Sequence, residues 1–167
     1  METKPQANKS LEKVRDMIED IRIAMMTTVD EHNNLVSRPM AALQVDEDGS
    51  IWFFTQRSSP KVDQIEQHDR QVNLSFADVS NADYVSASGT AKEVYDKAKI
   101  DELWNPQAKA WFPNGKEDPE LTLLKVHIDM AEYWSASDSQ MVRFFQQATA
   151  AITGNPPKMG ENEKVYN

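Results

Sequence analysis

Leu35-Val36-Ser37-Arg38-Pro39-Met40-Ala41-Ala42-Leu43, then Asp46-Glu47-Asp48-Gly49, then Ile51-Trp52-Phe53-Phe54-Thr55 and Ser59-Pro60-Lys61: the fold of this chain turns on these residues. Two strand-like runs flank a tight turn, and Asp48-Gly49 is a good hairpin signal because glycine accepts the positive backbone angles such turns need. Pro39 has no N–H to donate to a ladder, which places it at an edge, a bulge or a ligand-facing stretch. Ser59 and Pro60 suit the start of a short helix to about Gln67, with Ser59 as cap and Pro60 in the first turn. Arg38, Thr55, Ser59 and Lys61 can then converge on one dianionic group. Charge-assisted hydrogen bonds from Arg and Lys are the strong ones for phosphate, and hydroxyls complete the shell. A helix N-terminus at Ser59 adds free N–H groups and a favourable dipole. Met40, Trp52, Phe53 and Phe54 offer an apolar bed for a flat ring. Taken alone, the same residues also read as an edge-strand arginine and an ordinary helix start.

Composition makes a local phosphate site stand out. The 167 residues carry a formal net charge of -9, which argues against a nucleic-acid or anionic-membrane surface. One domain is expected at this length. With no cysteine, disulfides, thiolate catalysis and cysteine-ligated metals are excluded, so redox chemistry would have to come from a bound cofactor. Met1-Glu2-Thr3-Lys4-Pro5-Gln6 has no apolar core region and does not read as a signal peptide. No apolar run approaches the roughly 20 residues of a membrane span, and the chain is expected to be soluble and cytoplasmic.

Outward from the motif, residues 1–9 read as a flexible N-terminus. Ser10 is expected to cap a helix to about Ile21 whose apolar positions are Leu11, Val14, Ile18 and Ile21. Ile23 to Val29, Gln71 to Ala77, Tyr84 to Tyr95 and Leu121 to Trp134 read as strands, and Gly89 marks a bulge or close backbone approach. Asp96 caps a helix through Leu103. Trp104 to Pro119 is irregular, Ser139 to Ile152 reads as a terminal helix, and 154–167 as a disordered tail. Six strands linked mostly by hairpins predict a mainly β antiparallel barrel with flanking helices. A parallel nucleotide-binding sheet is disfavoured, since helices do not alternate with strands.

Ser37-Arg38-Pro39-Met40 with Trp52-Phe53-Phe54-Thr55-x-x-x-Ser59-x-Lys61 resembles the flavin-binding segments of the pyridoxamine 5′-phosphate oxidase-like split-barrel family. Tyr133-Trp134, Val142-Arg143-Phe144-Phe145 and Thr153-Gly154 resemble the C-terminal part of its general stress protein branch, so the likeness spans about residues 10 to 154. It implies a six-stranded split β-barrel over 10–153 that binds FMN, with FAD as the alternative. Arg38 and Lys61 would contact the FMN phosphate, and Thr55 and Ser59 would supply hydroxyls. Backbone at Pro39 and Met40 would run beside the isoalloxazine, with Phe54 lining the ring pocket. The family builds each site between two protomers, which implies a homodimer. Trp134 would then come from the partner protomer, and Trp104, Trp111 and Phe112 would cover the ring; aromatic core or interface packing is the alternative for these residues.

The departures bear on activity. Pro60 stands where true pyridoxamine phosphate oxidases usually carry a second cation, and Ser139-Gln140-Met141-Val142-Arg143 replaces their Arg-x-His-Asp-Arg substrate motif. Oxidation of pyridoxamine phosphate is therefore not expected. A flavin-dependent oxidoreductase of unassigned substrate and a non-catalytic flavin-binding or sensing module both remain open, as do relatives' ligands, deazaflavin and haem. His32, His68 and His127 show no metal-ligand spacing, so no metal site is expected. Asp16, Glu19 and Asp20 form a solvated helix face, and Ser135 to Ser139 a loop with a helix cap.

Overall fold

The computed structural model describes residues 4–135 and 161–166, with side chains from Lys9 and, at the C-terminal end, from Glu163. Helix α1 (Lys4–Ile21) leads into β1 (Ile23–Val29) and β2 (Leu35–Ala41), then β3 (Gln44–Val45) and β4 (Ser50–Gln56). Helix α2 (Pro60–Gln67), β5 (Gln71–Asp78), β6 (Asp83–Val94) and α3 (Lys97–Leu103) follow. Two 3-10 turns precede β7 (Leu121–Ser135), and β8 (Glu161–Tyr166) closes the described chain. The strands are antiparallel in the order β2-β1-β5-β6-β7-β4-β3, with β8 paired to β7.

The barrel closes through one corner. Ala42 N–H donates to the Arg22 carbonyl (2.8 Å), whereas Leu43 N–H donates to Trp52 O (2.9 Å). Consecutive residues thus hand the chain from the β1 side to the β4 side, and the two ends of the sheet are one continuous segment. This corrects the expected hairpin. Asp46 to Gly49 does turn back, with Gly49 at φ 79, but it joins β4 to the short β3, while Leu35–Ala41 pairs with β1. A strand running unbroken from Leu35 to Leu43 would have offered its donors to one neighbour only.

Strand alternation fills the interior. Met26, Met40, Ile51, Phe53, Leu74, Phe76, Val85, Leu124 and Tyr133 all belong to one buried cluster, capped by Val14, Met17 and Ile18 of α1. A second cluster lies on the opposite face of β4 and β7, where Trp52 meets Ile100, Phe112, Leu121 and Leu123, with Phe54 and Trp104 against it. Gly89 bears out the predicted bulge: the register of β6 on β7 shifts between Ser88 and Gly89. A Cβ there would lie 1.9 Å from the His127 carbonyl oxygen, so only glycine fits.

Three other expectations are corrected. There are eight strands among the described residues instead of six. Helix α1 begins at Lys4, so residues 4–9 belong to it, and Ser10 is not a cap. Its buried hydroxyl donates to Glu163 of β8 at 2.7 Å, and Tyr133 OH donates to the same carboxylate at 3.1 Å. The expected tail therefore includes a strand, because Glu161–Tyr166 finds β7 donors and acceptors beyond the end of β4. The predicted helix Ser139 to Ile152, Arg143 and the boundary at 153 lie outside the described residues.

Candidate functional site

Arg38, Thr55, Ser59 and Lys61 arrive on β2, β4 and the start of α2. On β2, Arg38 shares a face with buried Met40, opposite exposed Ser37 and Pro39. Its side chain is half-buried and firmly held. Nη1 donates to Thr28 Oγ1 (2.7 Å) and the Met26 carbonyl (3.2 Å), and Nη2 to Gln64 Oε1 (3.1 Å). Thr28 Oγ1 donates to the same Gln64 oxygen at 2.7 Å. The guanidinium is thereby positioned by neutral groups that leave its charge unbalanced.

Lys61 supplies the second charge. Its Nζ donates to Ser59 Oγ at 2.6 Å, and burial followed by the nearby Arg38 charge lowers its pKa from the ordinary lysine value. Burial alone also lowers that of Arg38. Burial is the leading cause of both shifts, and among the described residues neither cation forms an ion pair. Ser59 stands at the N-cap position of α2, but its hydroxyl makes no cap hydrogen bond, because it accepts from Lys61 instead.

Thr55 adds an orphan. It is 3% exposed on the barrel-facing side of β4, and its Oγ1 has no hydrogen-bond partner among the described residues. An unsatisfied buried hydroxyl costs about 1–3 kcal/mol, so such a group calls for a partner.

Other predicted site residues are less convergent. Pro39 is exposed, and Met40 points into the core. Phe54 lies on the other face of β4 from Thr55, 5.9 Å from Trp104 and 6.3 Å from Phe112 between ring centroids. The expected apolar bed of Met40, Trp52, Phe53 and Phe54 is split, since neighbours on a strand face opposite ways. Trp111 is 73% exposed. Trp134 of β7 pairs with Tyr84 of β6, at the end of β7 that carries β8 and beyond the stretch paired with β4. Sequence reading missed Thr28 and Gln64, the two side chains that orient the guanidinium; Gln64 was findable, three residues after Lys61 and on its helix face.

The outer face beside the cluster is also unusual. Ile23, Met25, Thr27 and Val29 of β1, Leu35, Ser37, Pro39 and Ala41 of β2, and Gln71, Asn73, Ser75 and Ala77 of β5 point outward without a charge. In a chain that is 27% charged, this is a depleted patch. Thr27 and Ser37 hydroxyls bond to each other across it at 2.7 Å.

A family model described as pyridoxamine 5′-phosphate oxidase like matches residues 9–158. The curated protein bli-3 of Neurospora crassa is 27% identical over 99% of this chain and 83% of its own length. Among solved structures, a candidate general stress protein 26 from Jannaschia sp. CCS1 superposes with a TM-score of 0.73 at 27% identity, over 95% of this chain and 99% of that one. The general stress FMN/FAD binding protein of Xanthomonas citri superposes at 0.66 with 32% identity, over 82% and 93%.

Proposed function

Since the chain belongs to the pyridoxamine 5′-phosphate oxidase-like family, we propose that it is an FMN-binding protein of the general stress type. The observation that carries this reading is the half-buried pair Arg38 and Lys61, two cations without a carboxylate partner among the described residues, in a protein of net charge -9. A phosphate monoester dianion balances both. Thr55 Oγ1 is a free donor on the neighbouring strand, and the first N–H groups of α2 add favourable dipoles. The binding described by name for the Xanthomonas citri protein supports the choice of ligand; FAD is the alternative flavin.

When bound, a flavin supplies the electron-carrying chemistry. The chain's share is to bind and orient. Arg38, locked by Thr28, Gln64 and the Met26 carbonyl, fixes one phosphate position, and Lys61 swings from Ser59 to a second. No substrate motif accompanies them, so turnover of pyridoxamine phosphate is not proposed; a flavin-dependent oxidoreductase with another substrate is.

The charge-depleted face of β2, β1 and β5 supports a homodimer, because charged residues are typically excluded from interface cores. Pro39 and Ala41 belong to this face, so a second copy seated there would lie beside the proposed ring position and could bring its own Trp134 toward it. Absorbance titration with FMN and FAD tests the reading. Saturation at one flavin per chain with shifted bands is expected, and binding of neither flavin overturns it. Rapid bleaching of the bound flavin by NADH or NADPH would identify an oxidoreductase, and persistent colour with both would favour a binding or sensing module.

A further inference from the structure

At the opposite end of β4 lies a cleft of about 240 Å³ lined by Asp48, Ser50, Arg70, Thr90, Ala91, Lys92, Lys125 and His127. Ser50 and Thr55 are five residues apart on the strand, roughly 17 Å at about 3.3 Å per residue. The cleft is therefore separate from the Arg38 cluster. Three observations bear on what would occupy it.

The lining is cationic against the trend of the molecule. Arg70, Lys92 and Lys125, with His127 beside them, face a single carboxylate, Asp48. Among the described residues the Arg70 and Lys92 side chains make no ion pair. The Lys125 ammonium lies 4.9 Å from the Trp52 ring centroid, which fixes it on the cleft wall.

Secondly, Lys92 and Lys125 are direct cross-strand partners in the β6–β7 register. Like charges directly opposite each other destabilise a sheet, and an anion between them removes that cost. Thirdly, Ser50 is 1% exposed, yet its Oγ has no partner in hydrogen-bonding geometry. The neighbouring Asp48 carboxylate accepts from the Ser50 backbone N–H at 2.9 Å, and this contact, ahead of the Ser50 hydroxyl, Lys125 and His127, lowers its pKa.

The geometry points to a binding site for a small phosphate dianion in this cleft, with Arg70, Lys92 and Lys125 supplying charge and Ser50 Oγ a hydrogen-bond donor. A dianion suits the balance of three permanent cations against one carboxylate. The volume lies below the roughly 300 Å³ at which drug-sized pockets begin, so the cleft takes free phosphate or the head of a phosphate monoester whose remainder projects into solvent.

Calorimetric titration of the full chain with inorganic phosphate, and separately with phenyl phosphate, in the presence and absence of FMN, tests this. Saturable binding that persists with one equivalent of FMN, held at the Arg38 and Lys61 site, is expected. It should weaken by about tenfold or more in Arg70→Met/Lys92→Met and return in Arg70→Met/Lys92→Arg toward the single-variant level. Both positions are on the surface, and thermal melts report folding: phosphate should raise the melting temperature of the parent chain and leave that of the double variant unmoved. Equal binding of phenyl phosphate identifies a monoester ligand, and binding of phosphate alone identifies the free ion. Absence of saturable heat up to about 10 mM phosphate, undiminished binding in the double variant, or loss of binding once one equivalent of FMN is bound would each overturn the proposal.

Discussion

The two ends of β4 carry the same kind of charge and treat it in opposite ways. At the Thr55 end, Arg38 is fixed by three hydrogen bonds and Lys61 by one, in a half-buried setting where desolvation is felt. At the Ser50 end, Arg70 and Lys92 line an open cleft, and among the described residues their side chains make no ion pair. The first arrangement has its geometry set before a ligand arrives, which favours affinity and orientation. The second is adaptable and screened by solvent, which favours a weaker, exchangeable anion. One strand thus links the proposed flavin anchor to the proposed phosphate cleft.

The largest effect expected from breaking this comparison comes from what holds both ends in register. Gly89→Ala, which drives a Cβ into the His127 carbonyl, should destabilise the barrel by about 3 kcal/mol, the upper end of overpacking costs. Denaturant unfolding would show it, and an unchanged midpoint would mean β6 and β7 do not approach as described. Next comes the anchor itself. Arg38→Ala or Lys61→Ala should weaken FMN by about 1.5–3 kcal/mol, read by fluorescence titration; unchanged affinity in both would move the phosphate elsewhere.

Thr55→Val sharpens the contrast through opposite signs. Removing an orphan hydroxyl should stabilise the flavin-free chain by about 1 kcal/mol while weakening FMN binding, and a melt paired with a titration separates the two. The pH response is the smallest effect. The folded-state pKa of Lys61 is lowered below 10.5, so in that window the unfolded chain holds more protons and stability of the flavin-free protein rises with pH. FMN affinity should fall over the same window as the ammonium deprotonates, and Lys61→Arg should flatten both trends. A flat profile in the parent chain would remove Lys61 from the site.

Elements with one strong local signal were legible in the sequence. The bulge at Gly89, the Asp96 cap and the start of α2 at Pro60 are each decided by a single residue's backbone chemistry. The candidate cations Arg38 and Lys61 were legible for a similar reason, since a conspicuous charge needs a partner. What was hidden depends on neighbours distant in the chain. Ser10 resembles a cap until Glu163 is placed beside it, 153 residues away, and Leu35–Leu43 reads as one strand until Arg22 and Trp52 claim successive N–H groups. The apolar bed failed on alternation, which assigns Phe53 and Phe54 to different clusters.

The corner at Ala42 and Leu43 has a consequence for solubility. An open sheet presents two rows of unpaired backbone groups, and such margins template the addition of further strands from other molecules. Here both margins, β2 and the two-residue β3, belong to one segment bent back on itself. A chain inserting one residue between Ala42 and Leu43 would keep its side-chain chemistry but disturb the corner that fixes both margins, and association through strand edges is the expected cost.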